Sequence, residues 1–221
     1  MKKSSYLFFL LSAIWMQLHA QSSFEAIASF GTTITPTIPY HNCTGNISST
    51  FTPTFSFVYH PNPIIGLELN YSKFMPVSYL NNPENDAVAA YTSSQISVER
   101  FLSGLNFSLP FKKIHPYVGC LLGFTYVEES HSDYPSSHTS FSWACQAGIE
   151  YFFLSVVALR LNAAFINTPN ISNSSSYFGV NARGEGFPSF VVGDPSSANI
   201  RQWNVSLGVI AHFATRKKKR K

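Results

Sequence analysis

Apolar residues alternate with small or polar residues along the segment 203–213, near the end of the chain. One face of this segment carries Trp203, Val205, Leu207, Val209, Ala211 and Phe213. The other face carries Asn204, Ser206, Gly208 and His212, and Ile210 alone breaks the pattern. A period of two residues predicts a β-strand, because successive side chains of a strand point to opposite sides. Strands of a lipid-embedded barrel require such faces, but soluble antiparallel strands also alternate, so this segment alone leaves both classes open.

The same alternation predicts eight strands along the chain. They cover residues 24–33, 50–59, 64–73, 92–109, 117–127, 141–151, 156–165 and 203–213. The connections alternate between long polar loops (34–49, 76–91, 128–140 and 167–199) and short turns (60–63, 110–116 and 152–155). Short turns at one end and long loops at the other are typical of bacterial outer-membrane barrels, and strands of about ten residues can cross a bilayer at a tilt. The pattern therefore predicts an all-β fold, an eight-stranded antiparallel up-and-down transmembrane β-barrel.

Two of the predicted strands contain an irregularity. Pro53 lies inside the second strand, where its missing N–H predicts a bulge or a shift of register. In the fourth strand the outer face is assigned to Ile96 and Val98 at one end and to Leu105 at the other. These positions differ in parity, which predicts a bulge near 103–104.

The composition and the start of the chain narrow the class of protein. Residues 1–20 are typical of an export signal peptide, with Lys2 and Lys3 before an apolar stretch and Ala20 at the predicted cut; a short membrane anchor is the alternative. Charged residues make up 12% of the chain and aromatic residues 15%, and no apolar run after residue 20 is long enough for a transmembrane helix. An exported, aromatic and poorly charged chain fits either a secreted soluble β-sandwich or an outer-membrane barrel over 21–213.

The formal net charge of +4 is concentrated at the chain ends. Two lysines lie in the predicted signal peptide and six basic residues in the C-terminal tail 214–221, so the body 21–215 holds 7 basic and 11 acidic residues. A basic tail on an acidic body predicts no nucleic-acid partner. The tail either contacts anionic lipid headgroups or is a solvated chain end.

Three cysteines, Cys43, Cys120 and Cys145, cannot form a closed set of disulfides. Cys120 and Cys145 lie in neighbouring predicted strands and could meet. The sequence favours the alternative, in which both are small apolar residues on a strand face.

Inside a narrow barrel, the polar side chains must satisfy one another. Glu68, Glu99, Glu150 and Arg160 are all assigned to the inner face, and one arginine among three acids predicts a network of ion pairs in the lumen. An eight-stranded barrel has an interior just wide enough for its own side chains. We therefore interpret the four residues as a structural plug, with a small gated pore as the alternative.

The loop 128–138 carries acidic residues together with His131, Asp133 and His138. These residue types can bind a metal ion or assemble a hydrolase site, so an enzyme or metal binder on the barrel rim is an alternative function. Their spacing matches no motif, and the chain offers no nucleophile–base motif, Gly-rich phosphate loop or zinc-ligand spacing. The sequence therefore favours a surface loop and predicts no catalytic residue, cofactor or metal site.

Three further segments, taken with the last strand, carry a family resemblance. They are YHPNPIIGLELNY at 59–71, HPYVGCLLG at 115–123 and WACQAGIEY at 143–151. With these, the body of the chain resembles the small eight-stranded outer-membrane barrels of the outer-membrane protein A and X type, and the Ala20–Gln21 junction resembles exported proteins of Bacteroidota. The resemblance implies a place in the cell outer membrane, with both termini in the periplasm and the long loops outside the cell.

The resemblance also implies partners and a role. In such barrels the barrel-insertion machinery recognises a terminal aromatic residue, which Phe213 matches, although eight residues follow it here. Outer-membrane lipids are the other expected partner, and the sequence identifies no surface ligand. The expected function is that of an integral outer-membrane protein with a non-catalytic structural or surface-contact role. The gated pore, the rim enzyme or metal binder and the secreted β-sandwich are the alternatives.

Overall fold

The computed structural model describes residues 22–35, 38–39, 44–81, 94–129, 136–169 and 200–214. These residues form strands β1 (Ser23–Ile34), β2 (Ile38–Pro39), β3 (Thr44–Ile47), β4 (Thr50–His60), β5 (Ile65–Phe74), β6 (Val77–Asn81), β7 (Ser94–Ser108), β8 (Ile114–Glu129), β9 (Ser136–Phe152), β10 (Val157–Thr168) and β11 (Ile200–Ala214). Within these ranges, no helix has the length and apolar character that crossing a membrane requires.

Eight of the strands close into one antiparallel barrel. Neighbours pair in the order β1–β4–β5–β7–β8–β9–β10–β11, and β11 pairs with β1 to complete the ring. This order follows the chain, so the connections run up and down. The predicted eight-stranded barrel is confirmed. The alternative of a two-sheet sandwich is wrong, because every barrel strand has a partner on both edges.

The connections give the barrel two different ends. The short-turn end holds the turns 61–64, 109–113 and 153–156, together with the start of β1 and the end of β11. The opposite end, where β1 ends and β11 begins, is the long-loop end. This arrangement matches the predicted alternation of short and long connections.

Side-chain and backbone hydrogen bonds close two of the short turns. After β4, the Asn62 side chain accepts hydrogen bonds from the backbone N–H groups of Ile64 (2.9 Å) and Ile65 (2.8 Å). Before β8, the backbones of Phe111 and Ile114 exchange hydrogen bonds of 3.0 and 2.8 Å. Such local bonds reverse the chain within a few residues, as the Pro- and Asn-rich sequence at the first turn predicts.

The outer face of the barrel is apolar. Large side chains such as Phe57, Leu69 and Leu207 expose more than half of their surface there. Aromatic residues also pair across strands on this face, for example Phe24 and Tyr59, whose ring centroids are 4.9 Å apart. An apolar surface of this extent is costly in water and is stable in the hydrocarbon of a bilayer. The faces predicted for the last strand are confirmed.

The inner face, as far as the structure describes it, combines polar side chains with two apolar clusters. One cluster, on β1, β4, β10 and β11, contains Ile27, Val58, Ala158 and Ile210, with Phe152 packed against it. The other, on β7 to β10, contains Leu102, Leu121, Ala144, Ala164 and Ile166. Ile210, the exception to the alternation of the last strand, therefore belongs to a small apolar core inside the lumen.

The irregularity predicted at Pro53 is absent. The pairing between β1 and β4 runs through Pro53, opposite Phe30, without a shift of register. The pairing between β4 and β5 ends at Thr54, so the proline lies just beyond that ladder. A proline at the end of a ladder removes no hydrogen bond from it, and no bulge is needed.

The bulge predicted in β7 is also absent, because the register between β5 and β7 is continuous along the whole ladder. Ile96 and Val98 therefore share the inner face with Leu102 and are buried, which contradicts their outward assignment. They lie at the long-loop end, where Val98 pairs with Phe74 and Val127. The prediction failed because an apolar part of the lumen resembles lipid-facing surface in sequence.

Three short strands lie in segments that the sequence predicts to be polar loops. β3 pairs with β2 and with β6, and β6 pairs with the start of β7. The resulting order β2–β3–β6–β7 extends the sheet beyond the long-loop end of β5. These strands have two, four and five residues, which is too short for hydrophobic alternation to distinguish a strand from a loop.

Candidate functional site

Three of the four residues predicted for the lumen lie together. Glu68 on β5, Glu150 on β9 and Arg160 on β10 all point inward and are buried. Glu150 and Arg160 are direct partners in the β9–β10 ladder, whereas Glu68 reaches Arg160 from another part of the barrel wall. Arg160 Nη2 lies 3.0 Å from Glu68 Oε2, and Arg160 Nη1 lies 3.9 Å from Glu150 Oε1. Arg160 therefore joins both carboxylates.

Tyr117 on β8 fixes the guanidinium group of Arg160. Arg160 Nε donates a hydrogen bond of 2.6 Å to the Tyr117 hydroxyl, and Arg160 Cζ lies 4.2 Å from the centroid of the ring, a cation–π contact. The hydroxyl donates in turn to Asn162 Oδ1 at 2.7 Å. Gly148 makes room for Tyr117, because a Cβ atom at Gly148 would lie 2.6 Å from the hydroxyl oxygen.

Amide side chains surround the Glu68 carboxylate. Gln146 Nε2 lies 2.9 Å from Glu68 Oε2 and 2.9 Å from Asn106 Oδ1. Asn106 Nδ2 donates to the same carboxylate oxygen, and Asn70 Nδ2 lies 3.4 Å from Glu68 Oε1. Hydrogen bonds to an ionised carboxylate are the strong ones, so these donors offset much of the cost of removing Glu68 from water.

We refer to this connected set as the lumen network. Its members are Glu68, Asn70, Asn106, Tyr117, Gln146, Glu150, Arg160 and Asn162. The cavity beside it has a volume of about 30 Å³, which is room for about one or two water molecules. Bonds that join separate parts of the wall in this way hold the shape of the barrel and occupy its interior.

Glu99 does not join the lumen network, and its inward assignment is wrong. It lies on the outer face of β7, directly across from Lys73 on β5. Lys73 Nζ lies 2.6 Å from Glu99 Oε1, and both side chains are partly exposed. The assignment failed because inward and outward residues alternate along β7 without a bulge, so that Arg100 points inward and Glu99 outward.

Arg100 is the inward charge of β7 that the sequence analysis missed. Its Nη2 donates a hydrogen bond to Gln202 Oε1, and its Cζ lies 4.6 Å from the centroid of the Phe74 ring. Gln202 Nε2 donates in turn to Thr35 Oγ1 at 2.8 Å. Extending the alternation of the second half of β7 back through its first half would have placed Arg100 in the lumen.

A third buried carboxylate, Glu25, which the sequence analysis also missed, lies near the short-turn end. His60 Nε2 lies 3.2 Å from Glu25 Oε2, and His212 Nδ1 lies 3.0 Å from Glu25 Oε1. The three side chains line an open cavity of about 350 Å³. The sequence could have pointed to this site, because the alternation of the last strand places the side chain of His212 on the inner face.

In the described part of the chain, no group of three or more His, Cys, Asp or Glu side chains is arranged to hold a metal ion.

Of the remaining predicted sites, the structure describes Phe213 and the backbone of His138. Phe213 is exposed on the outer face at the short-turn end, where it pairs with Phe24 on β1. The backbone of His138 lies in β9, but its side chain falls outside the described part of the structure. Also outside it are the predicted signal peptide, the tail after Ala214, His131 and Asp133.

Comparison with known proteins agrees with this fold. The structure of the outer membrane protein OprG from Pseudomonas aeruginosa is 14% identical, with 87% of this chain and 96% of that chain covered, at a TM-score of 0.56. The structure of Neisserial surface protein A is 12% identical, with 86% of this chain and 96% of that chain covered, at a TM-score of 0.52. Identities this low show a shared fold alone.

The sequence comparisons address the family directly. No curated protein matches the chain. The family model described as the outer membrane protein beta-barrel domain matches residues 7–183, which is well over half of the chain. With the closed barrel and the apolar outer face, this match shows that the chain belongs to the family of outer membrane protein beta-barrel domains.

Proposed function

We propose that this protein is a non-catalytic outer-membrane barrel whose own side chains close its lumen, and that it acts through its structure and its surface loops. The observation that carries the proposal is the lumen network, in which Arg160 binds Glu68, Glu150 and Tyr117 from three other strands. An eight-stranded barrel has little interior beyond the volume of its side chains. The cavity of about 30 Å³ is too small for a solute larger than water.

The proposal includes an orientation and two partners. The short-turn end, with both chain ends, faces the periplasm, and the long-loop end faces the outside of the cell. Outer-membrane lipids cover the apolar outer face, and the barrel-insertion machinery recognises Phe213 during assembly.

Trypsin added to intact cells tests the orientation: it should cut the long loop at Arg183 and spare Lys112 in a short turn. Cleavage at Lys112 with Arg183 spared would reverse the orientation.

Conductance in planar bilayers tests the closed lumen. The wild-type protein should give no stable single-channel steps, and Arg160→Ala should add conductance because it removes the centre of the network. Leu161→Ala, the outward neighbour on the same strand, is the matched control and should behave as the wild type. Stable conductance of the wild type would contradict the proposal and favour the gated pore. Wild-type stability together with wild-type conductance in Arg160→Ala would show that the network is not the plug.

The rim enzyme or metal binder has a separate test. A triple variant with His131, Asp133 and His138 replaced by alanine should match the wild type in zinc titration and in hydrolysis of lipid and peptide substrates. Loss of measurable zinc binding or of hydrolysis in this variant, with heat-modifiable gel mobility retained, would replace the non-catalytic role with the rim site.

A further inference from the structure

Cys120 on β8 and Cys145 on β9 face each other on the outer surface of the barrel. They are direct partners in the β8–β9 ladder, and their Sγ atoms lie 3.6 Å apart, with both residues exposed. The ladder runs without interruption from Ile114 opposite Tyr151 to Glu129 opposite Ser136. The register of the two cysteines is therefore fixed from both sides.

The backbone at this pair meets the geometric requirement of a disulfide. Directly opposed residues of an antiparallel pair have Cα atoms about 4.5–5.5 Å apart, and disulfides span Cα separations of about 4.4–6.8 Å. The sulfurs must move from 3.6 Å to a bond length of about 2.05 Å. Side-chain rotation and a small approach of the two strands accomplish this without a change of register.

The neighbours of the pair on the outer face offer the thiols no other chemistry. Along β8 the flanking outward residues are Val118 and Leu122, and along β9 they are Trp143 and Ala147. None of these side chains can act as a base, ligate a metal ion or accept a strong hydrogen bond, the indole of Trp143 being a donor only. A reactive thiol at either position therefore meets the other thiol first.

We propose that Cys120 and Cys145 form a cross-strand disulfide in the oxidising bacterial envelope. The oxidant is a protein or small-molecule disulfide. The thiolate of one cysteine attacks an oxidant sulfur and releases the other oxidant sulfur as a thiol, and the second cysteine then attacks the mixed disulfide and releases the remaining one. Two cysteine thiols and one oxidant disulfide thus become one protein disulfide and two oxidant thiols, and the thiol protons pass to the products.

The lipid surroundings set the order of events. Once hydrocarbon covers this face, a thiolate is unfavourable and a soluble oxidant has no access. The bond therefore forms while the β8–β9 hairpin is still in water, and the inserted barrel then protects it from reductants. It links residues 25 positions apart and so restricts the unfolded chain, which stabilises the folded barrel.

The test uses the full chain exported in bacteria and extracted in detergent with a maleimide present from lysis onward. Peptide mapping without reduction should show a linked pair that contains Cys120 and Cys145, with Cys43 alkylated. Reduction of the unfolded protein before alkylation should make all three cysteines reactive. Complete alkylation of Cys120 and Cys145 without reduction would overturn the proposal, and so would a link from Cys43 to either of them.

Matched variants test the consequence for stability. On unreduced gels, Cys120→Ala and Cys145→Ala should convert from the folded to the unfolded band at a temperature several degrees below that of the wild type. Cys43→Ala removes a thiol and leaves the pair intact, so it should convert at the wild-type temperature. Equal conversion temperatures for all three variants and the wild type would overturn the stabilising role of the bond.

Discussion

Arg160 and Lys73 each bind a carboxylate of another strand, but the two pairs lie on opposite faces of the barrel wall. The Arg160–Glu68 pair is buried in the lumen at 3.0 Å, and the Lys73–Glu99 pair is partly exposed on the outer face at 2.6 Å. The exposed pair is the shorter one, so distance alone would rank it first. Desolvation reverses this ranking, because removing one partner of a buried pair leaves an uncompensated charge, whereas water and salt solvate and screen an exposed pair.

The two pairs also differ in the number of groups that depend on them. Arg160 contacts Tyr117 and Glu150 as well as Glu68, and Glu68 accepts further hydrogen bonds from amide groups. Loss of Arg160 therefore takes the cation from two buried carboxylates and a donor from the Tyr117 hydroxyl, and the neutral amide donors that remain around Glu68 do not replace the charge. Burial and connectivity therefore decide the energetic weight of an ion pair in this barrel.

The largest effect is expected for Arg160→Ala. Breaking a buried pair typically costs about 3–5 kcal/mol, and the free energy of unfolding should fall by about that amount. Urea unfolding of the protein in lipid vesicles, followed by tryptophan fluorescence, measures the change. Leu161→Ala, on the lipid face of the same strand, should have a smaller effect. A free energy of unfolding for Arg160→Ala equal to that of the wild type would contradict the weight given to burial.

A smaller effect is expected for Gly148→Ala, which changes no charge. The added methyl group would lie 2.2 Å from the backbone oxygen of Leu161 on β10 and 2.6 Å from the Tyr117 hydroxyl, so both the backbone of the β9–β10 ladder and the Tyr117 ring must shift. Overpacking of a filled interior costs about 1–3 kcal/mol, and the same urea titration should show a loss in this range. Ala147→Val adds volume to the outward neighbour on β9 and should leave the free energy of unfolding nearly unchanged. Equal losses in both variants would show that crowding on the inner face is not the cause.

The sequence predicted the barrel and part of its network because alternation records which side each residue faces. Glu68, Glu150 and Arg160 lie in strands whose parity is unbroken and whose apolar residues mostly face the lipid, so their inward direction was readable. The inward assignment of Glu99 was wrong because its neighbours Ile96 and Val98 are apolar and yet line the lumen. There, apolar residues are favoured by packing inside the barrel and not by contact with lipid.

The alternation of apolar and polar residues could not predict which side chains of different strands meet in the lumen. The meeting of Tyr117 with Arg160, and of Glu68 with Gln146, depends on the height at which each strand crosses the lumen. That height is set by the tilt and stagger of the closed sheet, which no single strand encodes. The glycine at 148 was the available signal, since a small inward residue marks a place where a large side chain from another strand passes close by.

The smallest effect is expected for Lys73→Ala, which removes the shorter of the two ion pairs. Glu99 lies at the long-loop end of the outer face, next to Val98 in the chain, and the side chains of Lys73 and Glu99 are 43% and 25% exposed. We expect the carboxylate left behind to be solvated at the membrane surface. We expect a free energy of unfolding indistinguishable from that of the wild type at physiological salt, because an exposed ion pair gains little over its separately solvated partners and loses side-chain entropy. Urea titrations at low and high salt, with Glu99→Gln as the reciprocal variant, check this expectation. A loss comparable to that of Arg160→Ala would mean that distance outweighs burial in this barrel.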